Sequence, residues 1–231
     1  MADVRLQAQR VSKFFGDRPV LHRVNLAVQA GTAALIIGRN GVGKSTLIKL
    51  CCGLVRPSTG QLLLFGCEPR LLPAAQFRRL GVLLHQTLLY PRLTARENLE
   101  FYSELLGFPD AAAQAWRWLE RVGLQRVAEE PVSALSRGME QRLGIARAML
   151  ADPDLILLDE PFAAMDADGA ELVGSLIREA LARDASVVLT AHAPLEIAGV
   201  ELEMFNLESN GLTPFRDEGR RGGLRHLLRR P

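Results

Sequence analysis

The sequence predicts an α/β domain with a mostly parallel core sheet, an antiparallel β unit beside it and a helical insert within it. Three observations predict this. Short apolar runs of strand length alternate with segments of helical period, which is the texture of parallel strands covered on both faces. Near the start, residues 4–8 and 20–28 instead alternate apolar and polar side chains, as half-buried antiparallel strands do. Between about Tyr90 and Leu135 no strand signal occurs. A length of 231 residues with 48% hydrophobic content suits one such domain over 1–231, with a helical subdomain inserted over 88–150.

Taken in order, Val4, Leu6 and Ala8 face one side of a first strand, and Phe14-Phe15-Gly16-Asp17 turns the chain into a second over 20–28. The run Ala33-Ala34-Leu35-Ile36-Ile37 reads as a buried strand and leads into Gly38-Arg39-Asn40-Gly41-Val42-Gly43-Lys44-Ser45-Thr46, which opens a helix expected to stop at Gly53. Pro57-Ser58-Thr59-Gly60 reads as a turn, and a strand follows over 61–65. Another strand runs from Gly81 toward His85-Gln86. In the insert, Thr94 and Glu97 form a capping box for a helix ending at Gly107, and Asp110 caps a second helix stopped by Gly123. Trp116 and Trp118 cannot share one face of that helix, so one belongs to the core and the other is partly exposed. A third helix follows Ser136. Beyond it come the strand Leu155-Ile156-Leu157-Leu158, a helix expected over 171–181, the strand Ser186-Val187-Val188-Leu189-Thr190, and a hairpin turning at Ser209-Asn210-Gly211.

Composition narrows the function. A formal charge of +2 does not describe a nucleic-acid footprint, so no nucleic-acid partner is expected. Three cysteines, two of them adjacent at Cys51-Cys52 in an apolar stretch, read as small buried side chains rather than a disulfide framework. Asp3 and Arg5 interrupt any secretory signal, and no apolar run approaches the roughly 18 residues that span a bilayer. The expectation is a chain without its own membrane span. The arginine-rich stretch 216–230 reads as a solvated end.

Two stretches carry nucleotide chemistry. Gly38 through Thr46 fits the phosphate-loop pattern between a strand and a helix. Glycines there let backbone N–H groups of Asn40, Gly41, Val42 and Gly43 turn toward a phosphate, and the helix N-terminus adds partial positive charge. Lys44 then reaches the β- and γ-phosphates, and the Ser45 hydroxyl holds Mg²⁺. A surface lysine on a glycine-rich turn is the plain alternative. The second stretch is Leu155 to Leu158 followed by Asp159-Glu160. A buried strand delivers Asp159 as a carboxylate for hydrated Mg²⁺, with Glu160 one residue further as a base for an attacking water.

Between them lies Leu135-Ser136-Arg137-Gly138-Met139-Glu140-Gln141-Arg142. With this stretch the chain resembles the ATP-binding subunits of ABC transporters, from Phe15 to His192 and in family order. The resemblance implies an ABC-type P-loop ATPase using ATP and Mg²⁺. It implies an adenine platform at Phe15, a glutamine loop at Gln86 that serves the metal and the catalytic set, and a signature over 135–139. It further implies a metal carboxylate at Asp159, the base at Glu160, a dimer-contact loop at Ala163-Ala164-Met165-Asp166 and a switch histidine at His192. Ser136 and Gly138 of one subunit would cap the ATP held by another, which makes the working form a homodimer. Arg137 and Met139 depart from the family's usual glycine and glutamine; Arg137 either adds charge at that site or points to solvent. Read without the family, Phe15 is a core aromatic, Gln86 caps a strand, and His192 is a strand-end histidine. His85 lacks nearby Cys or His at ligand spacing, which argues against a haem or metal ligand.

A chain without a span of its own implies a separate polytopic permease, with this subunit peripheral on the cytoplasmic face of the cell membrane. His85-Gln86, Leu93-Thr94, Glu97-Asn98-Leu99 and Phe101-Tyr102 look like export-type ATPases, especially the haem-exporter ATPase of cytochrome c maturation. The rivals are an ATPase for a drug, lipid or polysaccharide exporter and a soluble ABC ATPase acting on a protein assembly. Leu88-Leu89-Tyr90-Pro91 reads either as an apolar docking loop for the permease or as a segment folded beneath the insert.

Overall fold

The structure, a computed structural model, describes residues 3–209 and 211–215. Asn210 of the expected hairpin turn and the arginine-rich stretch 216–230 lie outside the described residues. Two sheets form. Val4–Phe15 (β1), Arg18–Gln29 (β2) and Thr59–Leu64 (β4) make an antiparallel sheet in the order β2-β1-β4. Ala33–Ile37 (β3), Leu80–Leu83 (β5), Leu155–Leu158 (β6), Ser186–Ala191 (β7), Leu202–Glu208 (β8) and Gly211–Pro214 (β9) make the second, in the order β5-β6-β7-β3-β8-β9. All its ladders are parallel except the edge pair β8–β9.

Strand periodicity divides the interior into two cores. Side chains of a strand alternate between faces. Leu35, Ile37, Ile156, Leu158, Val187 and Leu189 therefore join one cluster, shared with the helices Ala95–Leu105 (α2), Ala111–Arg121 (α3), Arg137–Met149 (α4) and Ala167–Ala182 (α5). Their strand neighbours Ala34, Ile36, Leu155, Leu157 and Val188 join the other, with the helix Lys44–Cys51 (α1) and the antiparallel sheet. Continuous apolar runs are thus the mark of strands buried on both sides.

The helix signals read from sequence have physical counterparts. Thr94 Oγ1 accepts from Glu97 N–H at 3.1 Å while Glu97 Oε2 accepts from Thr94 N–H at 2.8 Å, closing the capping box of α2. Asp110 Oδ1 accepts from Ala113 N–H at 2.9 Å to start α3. Trp118 is buried and Trp116 is exposed. Cys51 and Cys52 are free and buried at the end of α1, and burial pushes both thiols up from their ordinary range.

Three elements differ from expectation. Helix α5 begins four residues early, at Ala167, because Asp166 Oδ1 accepts from Gly169 N–H at 2.8 Å and nucleates it upstream of the periodic stretch. Thr59 and Gly60 belong to β4 rather than to a turn, since Thr59 pairs with Ser12. Two short 3₁₀ turns, Pro69–Leu71 and Ala74–Arg79, fill the segment before β5.

One close approach sets how α4 sits on the sheet. A Cβ placed on Gly81 of β5 would lie 2.3 Å from the Ala148 carbonyl oxygen and 2.7 Å from Pro153 Cγ. Gly81→Ala is therefore expected to lower stability by about 1–3 kcal/mol through overpacking. A shift in the urea midpoint with unchanged slope would measure it; an unaltered midpoint would mean that α4 can move away freely.

Candidate functional site

The parallel register places three strand ends side by side. Ile37 of β3 is level with Ala191 of β7, and Leu158 of β6 is level with Leu189 of β7. The residues that follow these strands are Gly38, Asp159 and His192, so the topology gathers the phosphate loop, the acidic pair and the histidine at the carboxyl edge of the sheet. The N–H of Gly38 donates to the Ala191 carbonyl at 3.2 Å, which ties loop to strand directly.

Two loop glycines cannot be replaced without strain. Gly43 has φ +116°, and a Cβ there would lie 2.9 Å from Leu21 Cδ2 and 3.0 Å from the Val20 oxygen. At Gly38 a Cβ would meet the Leu207 carbonyl oxygen at 2.8 Å. Their missing side chains let the loop pack closely on Val20, Leu21 and Leu207, and the first-turn N–H groups of α1 are the free donors of any helix start.

Lys44, the first residue of α1, is only 4% exposed. Its Nζ donates to the carbonyls of Gly38 at 2.8 Å and Arg39 at 3.3 Å, and lies 3.2 Å from Glu160 Oε1. It also lies 3.3 Å from His192 Nδ1, while His192 Nε2 is 2.8 Å from Glu160 Oε2. Lysine only donates and the carboxylate only accepts, so the imidazole that satisfies both carries its proton on Nε2. Lys44, Glu160 and His192 thus close a ring.

Asp159, next to Glu160 in the chain, is 2% exposed. Its Oδ1 accepts from Thr190 Oγ1 at 2.8 Å, and its buried Oδ2 has no hydrogen-bond partner among the described residues. A buried carboxylate oxygen without a donor is costly. A hard divalent cation satisfies such an oxygen, so the Asp159 carboxylate fits Mg²⁺, with the Ser45 hydroxyl at the start of α1 as a second oxygen that could hold it.

The other residues singled out from sequence lie further off. Phe15 is 52% exposed at the end of β1, with Lys13 Nζ 4.9 Å from its ring centroid, so it is not a core aromatic. Gln86 is exposed beyond β5 and makes no bond to the phosphate loop. Ser136 caps α4, its Oγ accepting from Met139 N–H at 3.3 Å, and Arg137 beside it is exposed. Gly138 lies against the 163–166 loop, where an added Cβ would be 3.1 Å from the Ala164 oxygen. Neither Ser136 nor Gly138 touches Lys44 within the chain.

Sequence reasoning missed two residues. Thr190 bonds both acids, since its Oγ1 also accepts from Glu160 N–H at 3.0 Å. The available signal was a hydroxyl directly after three aliphatic strand residues, Val187, Val188 and Leu189. Gln141 Nε2 donates to the Glu160 carbonyl at 3.3 Å, joining α4 to the loop after β6, and nothing local marks it.

The ABC transporter family matches residues 21–163 of the chain. Over 189 residues the chain is 36% identical to the cytochrome c biogenesis ATP-binding export protein CcmA of Rhodopseudomonas palustris (strain BisB5), covering 82% of this chain and 92% of that protein. It is 35% identical over 198 residues to the molybdenum import ATP-binding protein ModC of Mycobacterium tuberculosis (strain CDC 1551 / Oshkosh), covering 80% of this chain and 54% of that one. Among solved structures, a dimeric ATP-binding cassette in a post-hydrolysis state with ADP and Pi superposes with TM-score 0.80 at 26% identity, covering 91% of this chain and 99% of the other.

Removing the ring's cation should be severe. Lys44→Ala is expected to weaken nucleotide binding by at least about tenfold to a hundredfold, as loss of a charged hydrogen-bond partner does. Titration of the purified chain with a fluorescent ATP analogue measures this, and unchanged affinity would remove Lys44 from the site.

Proposed function

This chain belongs to the ABC transporter family as an ATP-hydrolysing subunit, and from that premise we propose that it powers export through a separate polytopic permease, with haem for cytochrome c biogenesis as the cargo. The observation that carries the catalytic part is the convergence of Lys44, Glu160 and His192 at the sheet edge where the neighbouring Asp159 keeps a buried oxygen without a partner. The cargo rests on likeness: the match spans nearly the whole Rhodopseudomonas exporter, whereas it spans about half of the molybdenum importer. A relative named as a Nod factor export protein, 37% identical, favours export of another cargo as the second reading.

In this reading, ATP enters across the exposed ring of Phe15. Its phosphates take the loop N–H groups of residues 40–46 and draw Lys44 off the carbonyls of Gly38 and Arg39. Mg²⁺, when bound, would supply positive charge that offsets the charge of the phosphates, and Ser45, Asp159 and Gln86 would hold it. Once Lys44 turns to phosphate, Glu160 Oε1 is released from the ammonium and can accept a hydrogen bond from the attacking water, while Oε2 keeps His192. His192 donates from Nε2, first to Glu160 and then to the γ-phosphate edge. Ser136 and Gly138 of a second copy complete the pocket with the N-terminus of α4, so hydrolysis belongs to a homodimer.

The permease meets the loop after Gln86, on the cytoplasmic face of the membrane. Among the described residues no helix is long and apolar enough to cross a bilayer. Leu88 is 45% and Tyr90 47% exposed, whereas Leu89 packs partly against the core. The helical unit over 88–150 presents this loop, which Asn98 braces by accepting from Tyr90 N–H at 2.8 Å and donating to the Thr94 carbonyl at 2.9 Å.

Two outcomes test this function. Glu160→Gln should retain ATP binding, lose turnover by about a hundredfold or more, and accumulate a Mg-ATP-dependent dimer on size exclusion. Normal hydrolysis would place the base elsewhere. Leu88→Glu should abolish capture of a detergent-solubilised permease while ATP binding persists. Co-purification with a soluble assembly instead of a polytopic protein would favour a soluble ATPase.

A further inference from the structure

Thr190 stands where the strands that end at the site meet. It is the penultimate residue of β7, fully buried, and level with Ile36 of β3. The strand residues before it, Val187, Val188 and Leu189, are aliphatic. A hydroxyl in that setting requires partners, and this one has two of different kinds. It donates its only proton to Asp159 Oδ1 at 2.8 Å and accepts the Glu160 N–H at 3.0 Å. Both bonds together fix its rotation.

Each bond leaves a consequence on the neighbouring acid. Because Oδ1 of Asp159 is tied, Oδ2 is the oxygen left without a partner, and it is buried. Glu160 has φ +53°, in the left-handed region that a residue with a Cβ enters only when held there. That conformation turns the chain sharply after Asp159, so that the Glu160 carboxylate meets Lys44 and His192.

We propose that Thr190 is a positioning residue for hydrolysis: its single hydroxyl aims the free oxygen of Asp159 at the metal and holds Glu160 in the turn that presents its carboxylate. The inference rests on the reading of Asp159 as metal ligand and Glu160 as base. It separates two contributions that a β7 strand end makes together. The strand's apolar side chains hold the sheet, and the hydroxyl at its carboxyl end orients both acids.

The test uses the full chain with Thr190→Val, which keeps shape and removes the hydroxyl, and Thr190→Ser, which keeps the hydroxyl and removes the methyl. Affinity for a fluorescent ATP analogue is measured in EDTA and across a Mg²⁺ titration, alongside steady-state hydrolysis. Thr190→Val should leave affinity in EDTA unchanged, raise the Mg²⁺ midpoint by about tenfold to a hundredfold and lower kcat similarly, with KM little altered. Thr190→Ser should restore both. A valine variant with the original Mg²⁺ midpoint and kcat would overturn the proposal, as would a serine variant as impaired as valine. Should the valine variant not fold, Thr190→Ala removes the same hydroxyl and is read the same way. Asp159→Asn separates the layers: if it leaves the Mg²⁺ midpoint unmoved, the metal reading fails and the proposal with it. If it moves the midpoint while Thr190→Val does not, positioning alone is wrong.

Discussion

A lysine ammonium almost wholly removed from water is the constraint on which this structure turns. Such a charge persists only with a full set of acceptors. Lys44 finds two carbonyls of its own loop, a carboxylate from the end of β6 and an imidazole from the end of β7. Each acceptor imposes something. The carbonyls require a loop curled back on itself, hence φ +116° at Gly43. The carboxylate requires Glu160 in a left-handed turn. The histidine requires β7 between β6 and β3 in the sheet order. In the proposed function, a phosphate brought to the loop N–H groups would compete for the same ammonium, so that its binding and the release of Glu160 would be one exchange.

Sheet order can be held this firmly because each inner strand carries two cores at once. A shift of one residue in β6 would exchange Ile156 and Leu158 with Leu155 and Leu157 between clusters of different shape. The antiparallel sheet is fastened to this frame by charge as well as by packing. Arg5 of β1, nearly buried, lies 3.5 Å from Asp154 and 3.6 Å from Asp184, the residues that precede β6 and β7. Arg79 reaches the same Asp154 at 2.6 Å. The start of β6 is thereby pinned at one end while Asp159 and Glu160 work at the other.

What could be read in advance was what short range determines. The phosphate loop, the capping box at Thr94 and Glu97, and the two-sided burial of the strands each follow from residues within one turn or one strand. Where partners come from afar, the sequence was silent or misleading. Thr59 looked like part of a turn because its ladder partner, Ser12, lies far earlier in the chain. Phe15, without the family, reads as core because aromatic residues usually are, yet it sits half-exposed at a hairpin end with Lys13 Nζ near its ring. Asp166 was assigned to a contact loop, although its carboxylate also starts α5. Thr190 could not be distinguished from any strand threonine until two acids arrived from β6.

The first turn of α4 joins the parts that the chain keeps apart. Thr87, buried one residue after Gln86, donates from Oγ1 to Glu140 Oε1 at 2.7 Å. The next residue, Gln141, donates to the carbonyl of Glu160. Consecutive helical residues point about 100° apart, so one turn grips the loop after β5 on one side and the loop after β6 on the other. Gly144, a turn further on, lets the helix approach closely: a Cβ there would lie 2.8 Å from Leu83 Cδ1 and 3.2 Å from Thr87 Cγ2. A helix so closely seated moves as a body. Displacement of the exposed loop around Leu88 must then either break the Thr87–Glu140 bond or carry the N-terminus of α4 along with it. The second course also pulls on Glu160, whose carboxylate is already shared between Lys44 and His192. Ser136 and Gly138, at the start of the same helix, would move with it. Loop, helix start and catalytic acid are thus one mechanical unit, assembled from three stretches that the sequence places dozens of residues apart.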